Sequence, residues 1–304
     1  MLVSKRVVDA RSELVAGGYS EEDAAKTLEA TGFKSLSRFA DTDLDHFILV
    51  NADRMRDSLG ENLGKIKLVL VVTQTNLRKI PNAASRLQSA LGLDEDVFCL
   101  EIVDGCNGFV KALHTAHRLL RENEIGLIFS GEMNSVMVSG APAGTSALFG
   151  DGFALTQVVK SRKFSSKIRQ SGARGQAIRF GGSDVSLHMD GFEVFAFTTR
   201  EVPKLFDNSF SDGFGEERFP VFHQASKLVV DQVAKRLGYS DHRRPAFGAS
   251  LIGNLGPASI PSWLAQQKRI AAGTEIVCVG FGSGLSWGYA TASWDPERNE
   301  LVHV

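Results

Sequence analysis

Cysteine is scarce in this sequence: three residues, Cys99, Cys106 and Cys278, in 304. An odd number without framework spacing excludes a fully paired disulfide scaffold and fits free thiols in a reducing, cytoplasmic setting. An excess of either charge is lacking too. The 34 Lys and Arg against 35 Asp and Glu leave a net charge of -1, which offers no global field to hold nucleic acid or another polyanion. Long hydrophobic runs are also missing. No apolar stretch follows the basic residues near Met1, so no secretory signal is expected. The uncharged residues 276–294 approach membrane-span length, but Gly280, Gly282, Gly284 and Gly288 cut them into pieces that read as strand, tight turn, strand. No membrane span is expected. With 43% hydrophobic and 23% charged residues the chain has globular composition, and its length suggests about two domain-sized units.

What is present alternates between helix and strand signals. Residues 20–33 (S-E-E-D-A-A-K-T-L-E-A-T-G-F) give a capped helix start, a good interior and a Gly stop. A second helix is expected over about 43–59, a strand over 67–73 and a helix over about 83–91. Strand 97–103, helix 106–121 and strand 126–130 then form a βαβ unit, whose handedness rule implies parallel strands. Phe149-Gly-Asp-Gly closes this half and Phe281-Gly-Ser-Gly closes a second α/β stretch, which hints at an internally duplicated fold. The expected organisation is an amino-terminal half over 1–160, a basic linker over 161–183 and a carboxy-terminal half over 184–304. Lys160, Arg162, Lys163, Lys167, Arg169, Arg174 and Arg179 crowd this junction without an acidic residue. They read either as a solvated linker or as a docking strip for an acidic or phosphate-bearing partner.

Cys106 follows a strand and a Gly turn at the expected first turn of an apolar helix. Unpaired helix-start N–H groups favour an anion there, which would lower the thiol pKa and activate a nucleophile; plain packing is the alternative. Cys99 and Cys278, inside β runs, read as core. His223, in P-V-F-H-Q-A-S-K, stands where a strand meets a helix, and a helix start would keep it neutral as a hydrogen-bond donor; a structural histidine is the alternative. Asn254 lies on a Gly-flanked loop and reads either as a polar site residue or as an ordinary turn. His114 and His117, at i and i+3, lack a further ligand set, so no metal site is expected. The glycine-rich pieces match neither a phosphate loop nor a nucleophile elbow.

Together the segments resemble the thiolase superfamily, specifically the β-ketoacyl-acyl-carrier-protein synthase III group, over nearly the whole chain. Asp104-Gly-Cys-Asn-Gly-Phe resembles the family's A-C-S-G-F, Leu148-Phe-Gly-Asp-Gly its L-F-G-D-G, and His223-Gln-Ala-Ser its H-Q-A-N. Gly253-Asn-Leu-Gly-Pro-Ala-Ser-Ile-Pro is similar to G-N-T-S-A-A-S-I-P, and Gly280-Phe-Gly-Ser-Gly-Leu-Ser-Trp-Gly to G-F-G-A-G-L-T-W-G. The resemblance implies an α/β fold of thiolase type, five-layered αβαβα, built from two similar halves. It implies Cys106, His223 and Asn254 as catalytic residues, with the backbone N–H groups of Cys106 and Ser283 as the oxyanion hole. The implied activity is decarboxylative Claisen condensation of an acyl-Cys intermediate with a malonyl thioester, in fatty-acid-related or secondary-metabolite synthesis. Acyl transfer without decarboxylation, or a non-catalytic role beside an active homologue, are the alternatives. No metal or redox cofactor is implied; acyl-CoA or acyl-carrier-protein thioesters are the substrates, and a homodimer is implied with Ile80-Pro81 near its interface.

The departures from the family pattern concern coenzyme A. Lys26 and Ala30 stand where the family has a Trp and an Arg, Ala143 where it often has an Arg, and Leu228 where a basic residue is usual. A protein-borne or specialised acyl donor gains weight. Lys227, Lys235 and Arg236 on the His223 helix read either as docking residues for an acidic carrier protein or as a solvated helix face. The family's opening strand is reduced or absent, with residues 5–14 its best expected remnant.

Overall fold

Capping side chains open the first helices where the sequence places them. Ser20 accepts a hydrogen bond from the Asp23 N–H, and Gly32 ends that helix at a φ of 78°. Asp43 and Asn82 accept in the same way from His46 and Ser85. The computed structural model describes residues 1–39, 42–181, 184–206, 218–239, 245–267, 270–295 and 302–303. In chain order its first half runs β1 (Leu2–Val3), β2 (Val7–Asp9), α1 (Ala10–Ala16), α2 (Glu21–Thr31), β3 (Ser35–Ser37), α3 (Leu44–Leu59), β4 (Ile66–Val72) and α4 (Ala83–Leu91). It continues with β5 (Phe98–Ile102), α5 (Gly108–Leu119), β6 (Ile125–Glu132), α6 (Asn134–Val138), α7 (Ala143–Ser146) and β7 (Gly152–Val159). The second comprises β8 (Ser166–Gln170), β9 (Ile178–Gly181), β10 (Asp184–Met189), α8 (Gly191–Glu201), β11 (Arg218–Phe222) and α9 (Lys227–Arg236). Its last elements are α10 (Ser259–Ala265), β12 (Glu275–Gly282), β13 (Ser286–Ser293) and β14 (Val302–His303).

Two sheets carry the fold. One has the order β14-β1-β7-β6-β4-β5 and the other β11-β12-β13-β8. The pair β4 and β6 is parallel, followed by antiparallel β7 and β1. The second sheet repeats this run: β11 and β12 are parallel, followed by antiparallel β13 and β8.

Period-two alternation then builds the layers. In β4, Val69 and Val71 pack against α3 and α4, while Leu68, Leu70 and Val72 face α5 and α10. In β12, Ile276 and Cys278 join that same central cluster, and Val277, Val279 and Phe281 pack outward against α8 and α9. The order is helices, sheet, central helices, sheet, helices. Each large apolar side chain buried this way contributes about 1.5–3 kcal/mol, so the two-sided central layer is the chief source of cohesion.

The basic junction is not a linker. Among 161–183, of which 182 and 183 lie outside the described residues, 166–170 form β8, the strand that opens the second sheet in the place β1 takes in the first. Ile168 packs on the central layer while Lys167 and Arg169 alternate to the other face, so charge density concealed a strand. Several of the junction's cations are used within the chain: Lys160 and Lys167 donate to the Leu120 and Leu205 carbonyls, and Arg162 lies 3.4 Å from Glu122. The reduced opening strand is found at Leu2–Val3, ahead of the 5–14 remnant, which instead holds β2 and the start of α1.

Candidate active site

The turn between β5 and α5 carries Cys106. The Gly108 N–H donates to the Gly105 carbonyl at 2.7 Å and the Lys111 N–H to the Asn107 carbonyl at 3.1 Å, so the helix starts just after the cysteine and not at it. Lys111 reaches back to pair with Asp104. Across the turn lies Gly282 at the end of β12, where a Cβ would stand 2.7 Å from Cys106 Cβ and 3.3 Å from Sγ. Only a residue without a side chain permits that approach.

The expected activation of the thiol by the helix start is overturned. Burial first, then the Glu132 and Asp104 carboxylates, push Cys106 up to about 12, outweighing the lowering by its backbone hydrogen bond. At rest the group is therefore a thiol, and its proton must leave as it attacks. Alkylation by iodoacetamide is accordingly expected to quicken about tenfold per pH unit from pH 7 to 10 without levelling off, since the thiolate fraction rises tenfold per unit below the pKa. A plateau near pH 8 in a rate profile followed by mass spectrometry would show an activated thiolate instead.

His223 follows β11, and its N–H donates to the Val279 carbonyl at 2.8 Å, extending the β11–β12 ladder by one step. The residue is 1% exposed, its ring meets Phe281 edge-on with centroids 5.2 Å apart, and its Nδ1 has no hydrogen-bond partner among the described residues. Burial takes its pKa down to about 3, so the imidazole is neutral at physiological pH. The neutral state anticipated from sequence holds, but its cause is burial and not a helix start, since α9 begins four residues later.

Asn254 is placed by the first half of the chain. Its N–H donates to the Leu148 carbonyl at 2.9 Å and its carbonyl accepts from the Gly150 N–H at 3.0 Å, a bridge that stitches Leu148-Phe-Gly-Asp-Gly to Gly253-Asn-Leu-Gly-Pro. Its side-chain Oδ1 accepts from the Gly256 N–H at 2.9 Å and from Ser259 Oγ at 3.3 Å. That clamp fixes the amide, and Nδ2 is left with no bond among the described residues.

Ser283 follows Gly282 in the turn between β12 and β13. A buried hydrogen bond of 3.2 Å from Asn107 Nδ2 to Ser286 Oγ ties this turn to that of Cys106. Continuous packing thus links three of the candidates: Phe281 holds His223, the next residue touches Cys106, and Ser283 follows, while Asn254 is tied to Leu148, Gly150, Gly256 and Ser259. Of the docking candidates, Lys227, Lys235 and Arg236 are all exposed on α9, and Lys227 pairs with Asp231 at 2.7 Å. Lys227 also rims a 910 Å³ cleft beside α2 that Cys106, His223 and Asn254 do not line. Lys26 is exposed and pairs with Glu22, and Ala30 and Leu228 are exposed too. His114 and His117 are occupied by Ser166 Oγ and the stacked Phe164 ring.

Sequence reasoning passed over Glu132. It is buried at the end of β6, burial raises its pKa to about 7, and Thr73, Gln74 and Thr75 all donate to it. A lone carboxylate ending the run I-G-L-I-F-S-G-E was the available signal.

A family model described as 3-oxoacyl-[acyl-carrier-protein (ACP)] synthase III matches residues 100–175, and its C-terminal counterpart matches 218–294. The β-ketoacyl-[acyl-carrier-protein] synthase III of Lactococcus lactis subsp. cremoris is 30% identical over 271 residues, covering 79% of this chain and 82% of that one. The chain belongs to the β-ketoacyl-[acyl-carrier-protein] synthase III family. A 3-oxoacyl-(acyl-carrier protein) synthase from Burkholderia xenovorans superposes on this synthase III homologue with a TM-score of 0.89 at 23% identity, covering 100% of this chain and 95% of that one. The priming β-ketosynthase of a polyketide biosynthetic pathway gives 0.83 at 22% identity, covering 96% and 93%. The fold is thus the five-layered thiolase fold, and the chain is an enzyme. Among the described residues, no helix of this synthase III homologue is long and apolar enough to cross a membrane.

Proposed function

We propose that the protein is an acyl-thioester condensing enzyme that joins an acyl-Cys106 intermediate to a malonyl thioester with loss of carbon dioxide. Cys106 Sγ attacks the acyl thioester carbonyl, the donor's S–C bond breaks, and the cysteine proton ends on the departing thiol. The oxyanion is held by the N–H groups of Cys106 and Ser283. A malonyl thioester then places its carbonyl against His223 and Asn254 Nδ2; carbon dioxide leaves, the enolate carbon attacks the acyl carbonyl, and the acyl–Sγ bond breaks, releasing Cys106 as a thiolate that takes a proton from solvent. These steps call on no metal or redox group. The observation that carries the reading is the clamped Asn254 amide, whose acceptor is occupied and whose donor is free. His223 supports it, because burial keeps the imidazole neutral and an unpartnered Nδ1 leaves the other ring nitrogen free to carry the proton that donates to the malonyl carbonyl. Intact-mass measurement after exposure to acyl thioesters is expected to show an acyl adduct that Cys106→Ala abolishes. A wild-type protein that stays unmodified would favour the non-catalytic reading.

An acidic carrier protein as donor is consistent with Lys227, Lys235 and Arg236 on the exposed side of α9. We read 1–160 and the residues from β8 onward as the two halves. A homodimer is supported by β5, the edge strand of its sheet among the described residues, with Phe98 (56%) exposed at its start and Val103 (67%) just past its end, and by the exposed Leu77 and Ile80. Light scattering is expected to give the mass of two chains; a single-chain mass would contradict this.

A further inference from the structure

Gln74, in the loop after β4, has no part in the steps above. Its backbone is tightly held: its N–H donates to both Glu132 oxygens at 2.9 and 3.0 Å. Thr73 Oγ1, Thr75 N–H and Thr75 Oγ1 donate to the same carboxylate at 2.9, 3.0 and 2.8 Å. From this anchored base the side chain reaches the nucleophile's turn. A Cβ placed on Gly105 would stand 2.6 Å from Gln74 Oε1 and 2.8 Å from Ser283 Oγ, and Gln74 Nε2 lies 3.5 Å from that Oγ. Gly105 precedes Cys106, and Gly282, which precedes Ser283, abuts Cys106 Sγ. The amide therefore stands beside Ser283 and beside the residue that precedes Cys106.

Its bonding capacity is almost unused. Nε2 makes one contact at the outer limit of a hydrogen bond, and Oε1 accepts none among the described residues. A hydrocarbon acyl chain laid against this half-buried amide would strip water from a donor and an acceptor and return nothing. A hydroxyl can do both, accepting from Nε2 and donating to Oε1.

We infer that Gln74 is a specificity-determining residue that selects acyl groups bearing a hydroxyl within a few carbons of the thioester. The inference rests on the acyl-Cys106 reading. The step selected is acylation: the Sγ–C bond forms, the donor's S–C bond breaks, and the cysteine proton ends on the released thiol. Tetrahedral carbon and hydroxyl are untouched.

The test compares two matched pairs of N-acetylcysteamine thioesters, lactyl with propionyl and 3-hydroxybutyryl with butyryl, by the rate of Cys106 adduct formation in intact-mass spectra. In the wild type the hydroxylated member of at least one pair is expected to react about tenfold faster or more. Gln74→Met, of similar length and apolar, is expected to remove that preference, and Gln74→Leu to repeat the result. Equal rates in both pairs, or a preference that survives in both variants, overturn the inference while leaving the acyl-enzyme intact. No adduct from any of the four overturns both. Should neither variant fold, the wild-type comparison alone decides.

Discussion

Asn254→Ala is expected to slow carbon dioxide release from a malonyl thioester by about 10²–10³-fold, the usual effect of removing one preorganised donor to a developing oxyanion. Acylation of Cys106 should stay within about threefold of the wild type, because the amide acts on the second substrate alone. The alanine also leaves the Gly256 N–H and Ser259 Oγ without their acceptor. That costs stability on the order of 1–3 kcal/mol. Asn254→Asp separates the two effects: it keeps the acceptor for both partners and removes the Nδ2 donor, so release should fall as far while the fold is spared. Parallel measurement of released carbon dioxide and of the acyl adduct checks this, and unimpaired release in either variant would rule out the enolate role.

Gly150→Ala is the second large effect, and it is steric. A Cβ at Gly150 would lie 1.9 Å from the Ile252 carbonyl oxygen and 3.0 Å from its carbon, so backbone must move apart. The segment that yields is the Phe149–Asn254 bridge, which joins the first half to the loop carrying Asn254. Overpacking of this kind costs about 3 kcal/mol. The melting temperature is expected to fall by roughly 5 °C. Carbon dioxide release should drop more than Cys106 acylation, since the cysteine turn rests on β5 and β12. Calorimetry with both assays checks it; a variant with wild-type melting and release would show that the bridge does not place Asn254.

Much of the fold could be read in advance because its signals are local. Ser20, Asp43 and Asn82 cap helices through bonds three residues long, and the all-apolar β4 states its own burial. The candidate site was legible through motifs, since Cys106, His223 and Asn254 each lie in a short segment with an ordered set of neighbours. What stayed hidden depends on distance in the chain. Strand β8 looks like a linker until β13 supplies its partner, more than a hundred residues later. Glu132 has no meaning in the sequence until 73–75 fold onto it, and the burial and the Glu132 carboxylate that raise the Cys106 thiol come from the packing itself and from a segment distant in the chain. Gln74 likewise reads as an ordinary loop residue until Gly105 and Ser283 close around it.

Glu132 and His223 pull pH-dependent stability in opposite directions. His223, lowered from 6.5 to about 3, removes stability as pH falls below 6.5, because the unfolded chain takes up a proton that the folded one refuses. Glu132, raised from 4.5 to about 7, removes stability as pH rises from 4.5 towards 7.

The most direct measurement of whether Cys106, His223 and Asn254 form a condensing site is the product balance with an acyl thioester and malonyl-carrier protein supplied together. One carbon dioxide released per β-ketoacyl product, with both lost in Cys106→Ala, is the predicted result. An acyl-Cys106 adduct that passes to an alcohol or amine with no carbon dioxide released would contradict the account and make the protein a simple acyltransferase.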